Sequence, residues 1–410
     1  MASSGFRFVH TADWQIGRQY QRFEPEDAAA LFEARFAVVQ RIADYATQHD
    51  CDAVLVAGDV FDAQTVSERT VRRLFNAMQG FGGPWVLIPG NHDAALAESV
   101  WTRAQQLEVV PSNVHLALAA QPVLLQDLGV AILPAPLTQR RTHHDLTAWF
   151  DHAQTPDGYL RVGLAHGSVS GILSDDVDSA NPLAPDRAAR ARLDYLALGD
   201  WHGMRSIDAR TWYSGTPETD RFRNNESGHL LDVSISGPGA TPQVRAVRVG
   251  QYVWDAPQFQ ISMPTDAEQV VDYLQTLGPE HVVNLVLSGH LDLATQRRLL
   301  DAVAAAQARV RALDVEMDAL ALQPTDDDIA ALQADGYVAD VLHTLRGMLA
   351  SASAQQPNDT HPAVNAQHST NGQQSTSGQH AAAVVQSNTA DAIVARDALA
   401  LLAEILQEQQ

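Results

Sequence analysis

Asp13 with Gln15, Asp59 with Asp62, Asn91 with His92 and Asp93, His166, and Asp200 with His202 are the side chains best suited to chemistry. Each group follows a short apolar run, with a small residue such as Gly58, Gly90 or Gly199 beside it. Carboxylate, amide and imidazole donors in this mixture suit manganese, iron or zinc and make a poor calcium cage. Two such ions about 3.5–4 Å apart clamp the attacking and leaving oxygens of a displacement at phosphorus. A carboxylate shared between them offsets their mutual repulsion, and Asp59 is placed for that bridge. One such residue at a strand end is commonplace. Five groups in succession are not accounted for by ordinary caps and turns.

The elements that must carry these residues follow from hydrophobic periodicity. Phe6–His10 alternates like a strand and leads to Asp13, and Ala53–Ala57 is a buried run that leads to Gly58-Asp59. Trp85–Ile88 leads to Pro89-Gly90-Asn91-His92-Asp93, Leu160–Ala165 to His166, and Asp194–Leu198 to Gly199-Asp200-Trp201-His202. Helical spacing over 26–49 and 67–78 separates the first three strands, which implies a largely parallel sheet with right-handed crossovers. The five strand ends are expected in one sheet, since ligands gather outside the carboxyl ends of such strands. Short strands between Trp212 and Val249 read as an antiparallel layer.

Residues 251–349 change character: helices over 266–277 and 292–308 alternate with strands over 282–287 and 313–317, a small α+β unit without metal-capable motifs. Residues 350–388, rich in Gln, Ser, Thr, Asn, Ala and His, cannot bury enough apolar surface to fold and read as a flexible linker. A helix over 389–408 follows, with Val394, Ala398, Leu401 and Ile405 as its apolar stripe, either folded back or docked on a partner.

Composition narrows the classes. The net charge is −22 and all 27 basic residues are arginine, which argues against coating nucleic acid by general electrostatics. An enzyme that meets a few phosphates through bound cations is compatible with it. The single cysteine, Cys51, excludes an internal disulfide or a cysteine metal cluster. No signal-peptide pattern and no 18-residue apolar run occurs, so a cytoplasmic protein without membrane contact is expected.

These motifs resemble those of the calcineurin-like metallophosphoesterases. More narrowly, His10-Thr-Ala-Asp-Trp-Gln-Ile-Gly17, Gly58-Asp-Val-Phe-Asp62, Leu198-Gly-Asp-Trp-His202 and Tyr213-Ser-Gly-Thr-Pro-Glu218 look like the SbcD-type DNA repair nucleases. The resemblance covers roughly 6–250, and implies an α/β sandwich of two mixed β-sheets flanked by helices, a small α+β capping domain and a C-terminal tail. The expected domains are 1–250 (nuclease), 251–349 (cap), 350–388 (linker) and 389–408 (terminal helix).

The resemblance also implies roles. Asp13, Gln15, Asp59 and His202 would surround one metal, and Asp59, Asn91, His166 and Asp200 a second. A two-metal-activated hydroxide would attack phosphorus while His92 protonates or orients the departing oxygen. Asp62 and Asp93 would fix imidazole or loop geometry, and Arg18 could meet a substrate phosphate. Gln15 and Asp200 stand where the family has histidine, so the site gains a negative charge and leans toward manganese, with magnesium or iron as alternatives. DNA as substrate, an SbcC-like ATPase as partner and a homodimer are implied in the same way. Two alternatives stay open: a phosphoesterase on nucleotides or small phosphate esters, favoured by the acidity, and a scaffold subunit, since an amide is a weaker ligand than imidazole. Trp14 and Trp201 are expected to wall the site, His10 to be packed, and His143 and His144 to lie on the surface.

Overall fold

The computed structural model describes residues 5–171 and 181–323, with single positions beyond. The chain forms two compact units, one of Met1–Asp255 with Glu280–Val283 and one of Ala256–Pro279 with Asn284–Gln410.

In chain order, the first unit contains β1 (Phe6–Thr11), α1 (Pro25–Gln48), β2 (Ala53–Val56), α2 (Glu68–Ala77), β3 (Trp85–Leu87), α3 (Val100–Gln106), β4 (Val114–Leu116), β5 (Val123–Leu125) and β6 (Val130–Ala135). It continues with β7 (Leu160–His166), β8 (Ser168–Val169), β9 (Pro182–Leu183), α4 (Arg187–Arg190), β10 (Tyr195–Gly199), β11 (Arg205–Ser206), β12 (Thr211–Tyr213), β13 (His229–Ile235), β14 (Gln243–Arg248) and β15 (Val253–Asp255). Pro25 at the first turn starts α1, and the Ser67 side chain caps α2 by accepting from the Thr70 N–H.

Two six-stranded sheets result, in the orders β14-β13-β1-β2-β3-β4 and β11-β12-β10-β7-β6-β5. Both are mixed: β1 to β4 and β6-β7-β10-β12 run parallel, and antiparallel strands close every edge but that of β4. Phe8, Leu55 and Val86 of the first sheet pack against Ile132, Val162, Leu164 and Tyr195 of the second. The outer face of the first sheet carries α1, α2 and α3 through Phe36, Val39, Ile42, Leu74 and Trp101. Leu133, Ala165 and Leu198 on the outer face of the second pack with Phe150, Ala188 and Leu193. The fold is the expected α/β sandwich of two mixed sheets flanked by helices.

One expectation is corrected. The five strand ends do not share a sheet: β1, β2 and β3 lie in the first, β7 and β10 in the second. The antiparallel pairing of β5 with β6 starts the second sheet, and a run of apolar strands does not reveal where a sheet is divided.

The second unit includes β16 (Gln258–Ile261), α5 (Pro264–Thr276), most of β17 (His281–Leu291), α6 (Leu293–Gln307) and β18 (Ala312–Leu322). β16 and β18 both pair with β17, and the two helices pack on each other. The expected linker at 350–388 and most of 389–408 lie outside the described residues. Val394, Ala395, Ala398, Leu401 and Leu402 are helical, with Val394 and Leu401 exposed and Ala395 buried.

Candidate metal centre

The turns after β1 and β2 are laced together, which is what sets the centre's geometry. Asp13 N–H donates to the Gly58 carbonyl, Gln15 N–H to Asp59, Ile16 N–H to Val60 and Asp62 N–H to Ile16. Asp13, Gln15, Asp59 and Asp200 all have positive φ (53°, 51°, 50° and 98°), a costly conformation for these residues that the surrounding contacts impose. Close approach then excludes side chains beside them. A Cβ on Gly58 would lie 2.4 Å from His166 Nδ1, and one on Gly90 would lie 2.2 Å from Asp59 Oδ1.

Ligand atoms of Asp13, Asp59 and His166 lie within 4.8 Å of one another, all buried. His166 Nδ1 is 2.8 Å from the Ala57 carbonyl, which only accepts, so Nδ1 carries a proton and Nε2 is the nitrogen that faces the centre. There it meets further acceptors: Asn91 Oδ1 at 2.8 Å, and Asp59 Oδ1 and Asp200 Oδ1 at 3.6 Å each. Acceptors converging on one point call for positive charge among them, supplied by the Nε2 proton in the metal-free chain and by an ion that would displace it. Burial works against charge on His166, yet Asp59, Asp13 and Asp200 outweigh it and raise its pKa to about 9. Burial likewise pushes Asp13 up to about 6, against the pull of His202 and His166. Carboxylates gathered out of water cost several kcal/mol each unless compensated, and a divalent ion held by His166, Asn91, Asp59 and Asp200 is suited to that compensation.

The remaining expected residues fall around this core. Asp93 is buried and accepts from the N–H groups of Phe61 and Gly90, so it braces the turns. Burial, reinforced by Asp59, pushes its pKa up to about 7. Asp62 orients His92 through its backbone carbonyl, 2.8 Å from His92 Nδ1, while its carboxylate faces Arg18 at 3.5 Å. Arg18 also reaches Asp220 at 3.3 Å. The His92 backbone N–H donates to Asp59 Oδ1, and its Nε2 is 4.0 Å from Asp59 Oδ2 on the accessible side.

Two expected ligands are engaged otherwise. Gln15 Nε2 donates to Asp59 Oδ2 at 3.0 Å, leaving its buried Oε1 without a partner. His202 stands against Asp220 (Nδ1 to Oδ2, 3.1 Å) and Arg221, whose Nη2 is 2.9 Å from Nδ1 and 3.3 Å from Nε2. Sequence reasoning passed over Asp220 and Arg221. They follow directly on the Tyr213–Glu218 motif, and an Asp-Arg pair beside a motif is the only signal the sequence offered.

Trp14 does not wall the site. It is buried in the helix-side core, edge-on to Trp85, its Nε1 donating to Thr11. Trp201 packs partly buried against the outer face of the second sheet. His10 is buried between Tyr195 and the Leu198 carbonyl, and His143 and His144 are exposed, as expected. An arginine-aromatic cluster adjoins Arg221: the Arg22 guanidinium lies 4.9 Å from the Phe222 ring and 5.3 Å from Phe23, and both rings contact Trp254.

Comparison with known proteins gives a consistent assignment. A family model described as calcineurin-like phosphoesterase matches residues 6–237. An uncharacterized metallophosphoesterase, YhaO of Bacillus subtilis, is 27% identical over 56% of this chain and 55% of its own length. A component of the nuclease SbcCD of the same organism is 25% identical over 56% of this chain and 65% of its own. The DNA double-strand break repair protein Mre11 of Aeropyrum pernix is 28% identical over 63% of each. In each case less than two thirds of the relative's length is spanned.

Proposed function

The chain belongs to the calcineurin-like phosphoesterase family, and on that basis we propose that it is a metal-dependent phosphodiesterase acting on DNA. The observation that carries the reading is the convergence of Asp13, Asp59, Asn91, His166 and Asp200 from five strand ends onto one buried point. One relative named as a nuclease and another named as a DNA double-strand break repair protein support DNA as the substrate, as does the Arg22-Phe222-Phe23-Trp254 cluster, since bases stack on aromatic and guanidinium planes. By the same resemblance the chain would act as the nuclease subunit beside an SbcC-like ATPase.

Manganese is the expected ion, with magnesium or iron as alternatives, and when bound it supplies Lewis acidity at phosphorus and lowers the pKa of attacking water. His166, Asn91, Asp59 and Asp200 would hold it, and Asp13 would add a further carboxylate. His92 handles the departing oxygen. Its Nδ1–H is committed to the Asp62 carbonyl, so Nε2 is the nitrogen that gives the proton. Asp93 keeps Gly90 and Phe61 in place and thereby the turns that bear His92 and Asp59.

Incubating an end-labelled single-stranded oligonucleotide with the chain and Mn2+ tests the substrate. Shortening of the labelled strand that EDTA stops is the expected result. An intact oligonucleotide alongside turnover of mononucleotide esters would contradict DNA and favour the small-ester reading.

A further inference from the structure

We propose that Arg221 binds the phosphate next to the one being cleaved, so that the chain reads consecutive phosphates of a strand. The inference rests on the phosphodiesterase reading above and specifies its substrate: linked nucleotides rather than a lone ester.

Arg221 borders the centre. Its Nη2 lies 2.9 Å from Nδ1 and 3.3 Å from Nε2 of His202. An atom that near both ring nitrogens stands over the imidazole, outside the direction of either lone pair. His202 follows closely on Asp200, whose backbone N–H donates to the Asp13 carboxylate at 3.2 Å. The guanidinium is thus about one side chain removed from carboxylates of the ion site, and Asp13 acts on it through space.

One part of the guanidinium is fixed and the rest is left over. Nε and Nη2 donate to the two oxygens of Asp220 at 3.0 Å each, a forked contact that sets the plane. Asp220 is buried, with Arg18 at 3.3 Å and His202 Nδ1 at 3.1 Å on the same carboxylate. Nη1 has no partner among the described residues, and the side chain is 39% exposed. An immobilised cation therefore keeps N–H donors for a ligand. Its charge is not cancelled either: of the carboxylates that act on it most, Asp220 is shared with Arg18 and Arg35, and Asp13 belongs to the ion site. A fixed planar cation with donors to spare suits the non-bridging oxygens of a phosphate.

Phe222 decides which phosphate this is. The residue follows Arg221 directly, and its ring lies 4.9 Å from the Arg22 guanidinium and 4.8 Å from the Trp254 ring. A base stacked on that cluster would belong to a nucleotide whose own phosphate reaches Arg221, while the neighbouring phosphate lies at the metal.

Thymidine trinucleotides test this with the full chain and Mn2+. One has two ordinary phosphodiester linkages, and in two analogues one linkage or the other is an uncharged methylphosphonate. The wild-type chain should cleave both analogues about 10- to 100-fold less efficiently, as the loss of a charge-assisted hydrogen bond implies. In Arg221→Gln that ratio should fall to about one whatever the absolute rate, an effect that general structural damage would not produce. Equal cleavage of all three strands by the wild type would overturn the inference and leave the DNA reading intact. A preference that persists in folded Arg221→Gln would overturn the role given to Arg221. No cleavage of any strand, with bis(p-nitrophenyl) phosphate still turned over, would overturn the DNA reading and the inference together. If the glutamine variant does not fold, Arg221→Lys decides: it keeps the charge without the fork, so its preference should be smaller, and an undiminished one would overturn the inference.

Discussion

His92 can give a proton through one nitrogen only, because the Asp62 carbonyl holds the other. A general acid matters most when the leaving oxygen is basic, and nitrophenolate departs without help. His92→Ala should therefore lower kcat on DNA by about 10²–10⁴-fold and cost clearly less on a nitrophenyl diester. Equal losses on both substrates, measured side by side, would remove the proton-donor role and leave His92 with orientation alone. Phe222 offers a second residue-level prediction. If bases stack beside the centre, Phe222→Ala should weaken oligonucleotide binding by about 1–3 kcal/mol, read as anisotropy of a labelled strand without catalytic metal. Unchanged affinity would place that cluster in packing rather than recognition.

The elements impose the geometry that these residues need. Gly58 and Gly90 give passage to His166 and Asp59, so Gly58→Ala should displace the imidazole and abolish metal retention even where the fold survives. A metal titration followed by tryptophan fluorescence checks this. Away from the centre, β1, β13, β14 and α1 are tied by one carboxylate, Asp232, which meets Arg7, Arg245 and Tyr45 at 2.7 Å. Burial pushes that carboxyl up, but Arg7, Arg245 and Tyr45 outweigh it and hold it below the ordinary range. A depressed folded pKa contributes stability that is present above the unfolded value of about 4 and lost as pH falls below it. The difference in Tm between wild type and Asp232→Asn should thus be largest above about pH 4 and narrow as the pH is lowered. A constant difference would locate the loss in packing.

This network also shows which parts of the fold the sequence could and could not disclose. The strands leading to Asp13, Asp59, Asn91, His166 and Asp200 were legible because each is a short apolar run cut off by a small residue. Their division into two sheets was not, since pairing partners are set by contacts far apart in the chain. Trp14 was misread for a similar reason: at a positive-φ turn, neighbours in sequence face opposite ways, and its ring enters the helix-side core while Asp13 faces inward. Asp220 and Arg221 lacked periodic context, and only tertiary structure brings them to His202.

At the scale of the whole molecule, charge sets how substrate is held. With a net charge of −22, and Arg18, Arg22, Arg221 and Arg223 as the nearby cations, general attraction for nucleic acid is weak. Each phosphate contact on a single strand contributes a slope of about −0.7 in log K against log salt, so the slope should be about −2 to −3. A steeper slope would reveal a basic surface elsewhere. No helix among the described residues is long and apolar enough to cross a membrane. The buried carboxylates also couple metal to stability, and Mn2+ at about a hundredfold over its Kd should add about 2.7 kcal/mol, seen as a rise in Tm that EDTA reverses.

The central claim is phosphodiester hydrolysis at the centre formed by Asp13, Asp59, Asn91, His166 and Asp200. It is tested most directly by Mn2+-dependent release of nitrophenolate from bis(p-nitrophenyl) phosphate, with Asp59→Asn and His166→Ala run beside the wild-type chain. The account predicts turnover that requires the metal and that either substitution abolishes. Failure to turn over with any divalent metal, or turnover that survives both substitutions, would contradict it.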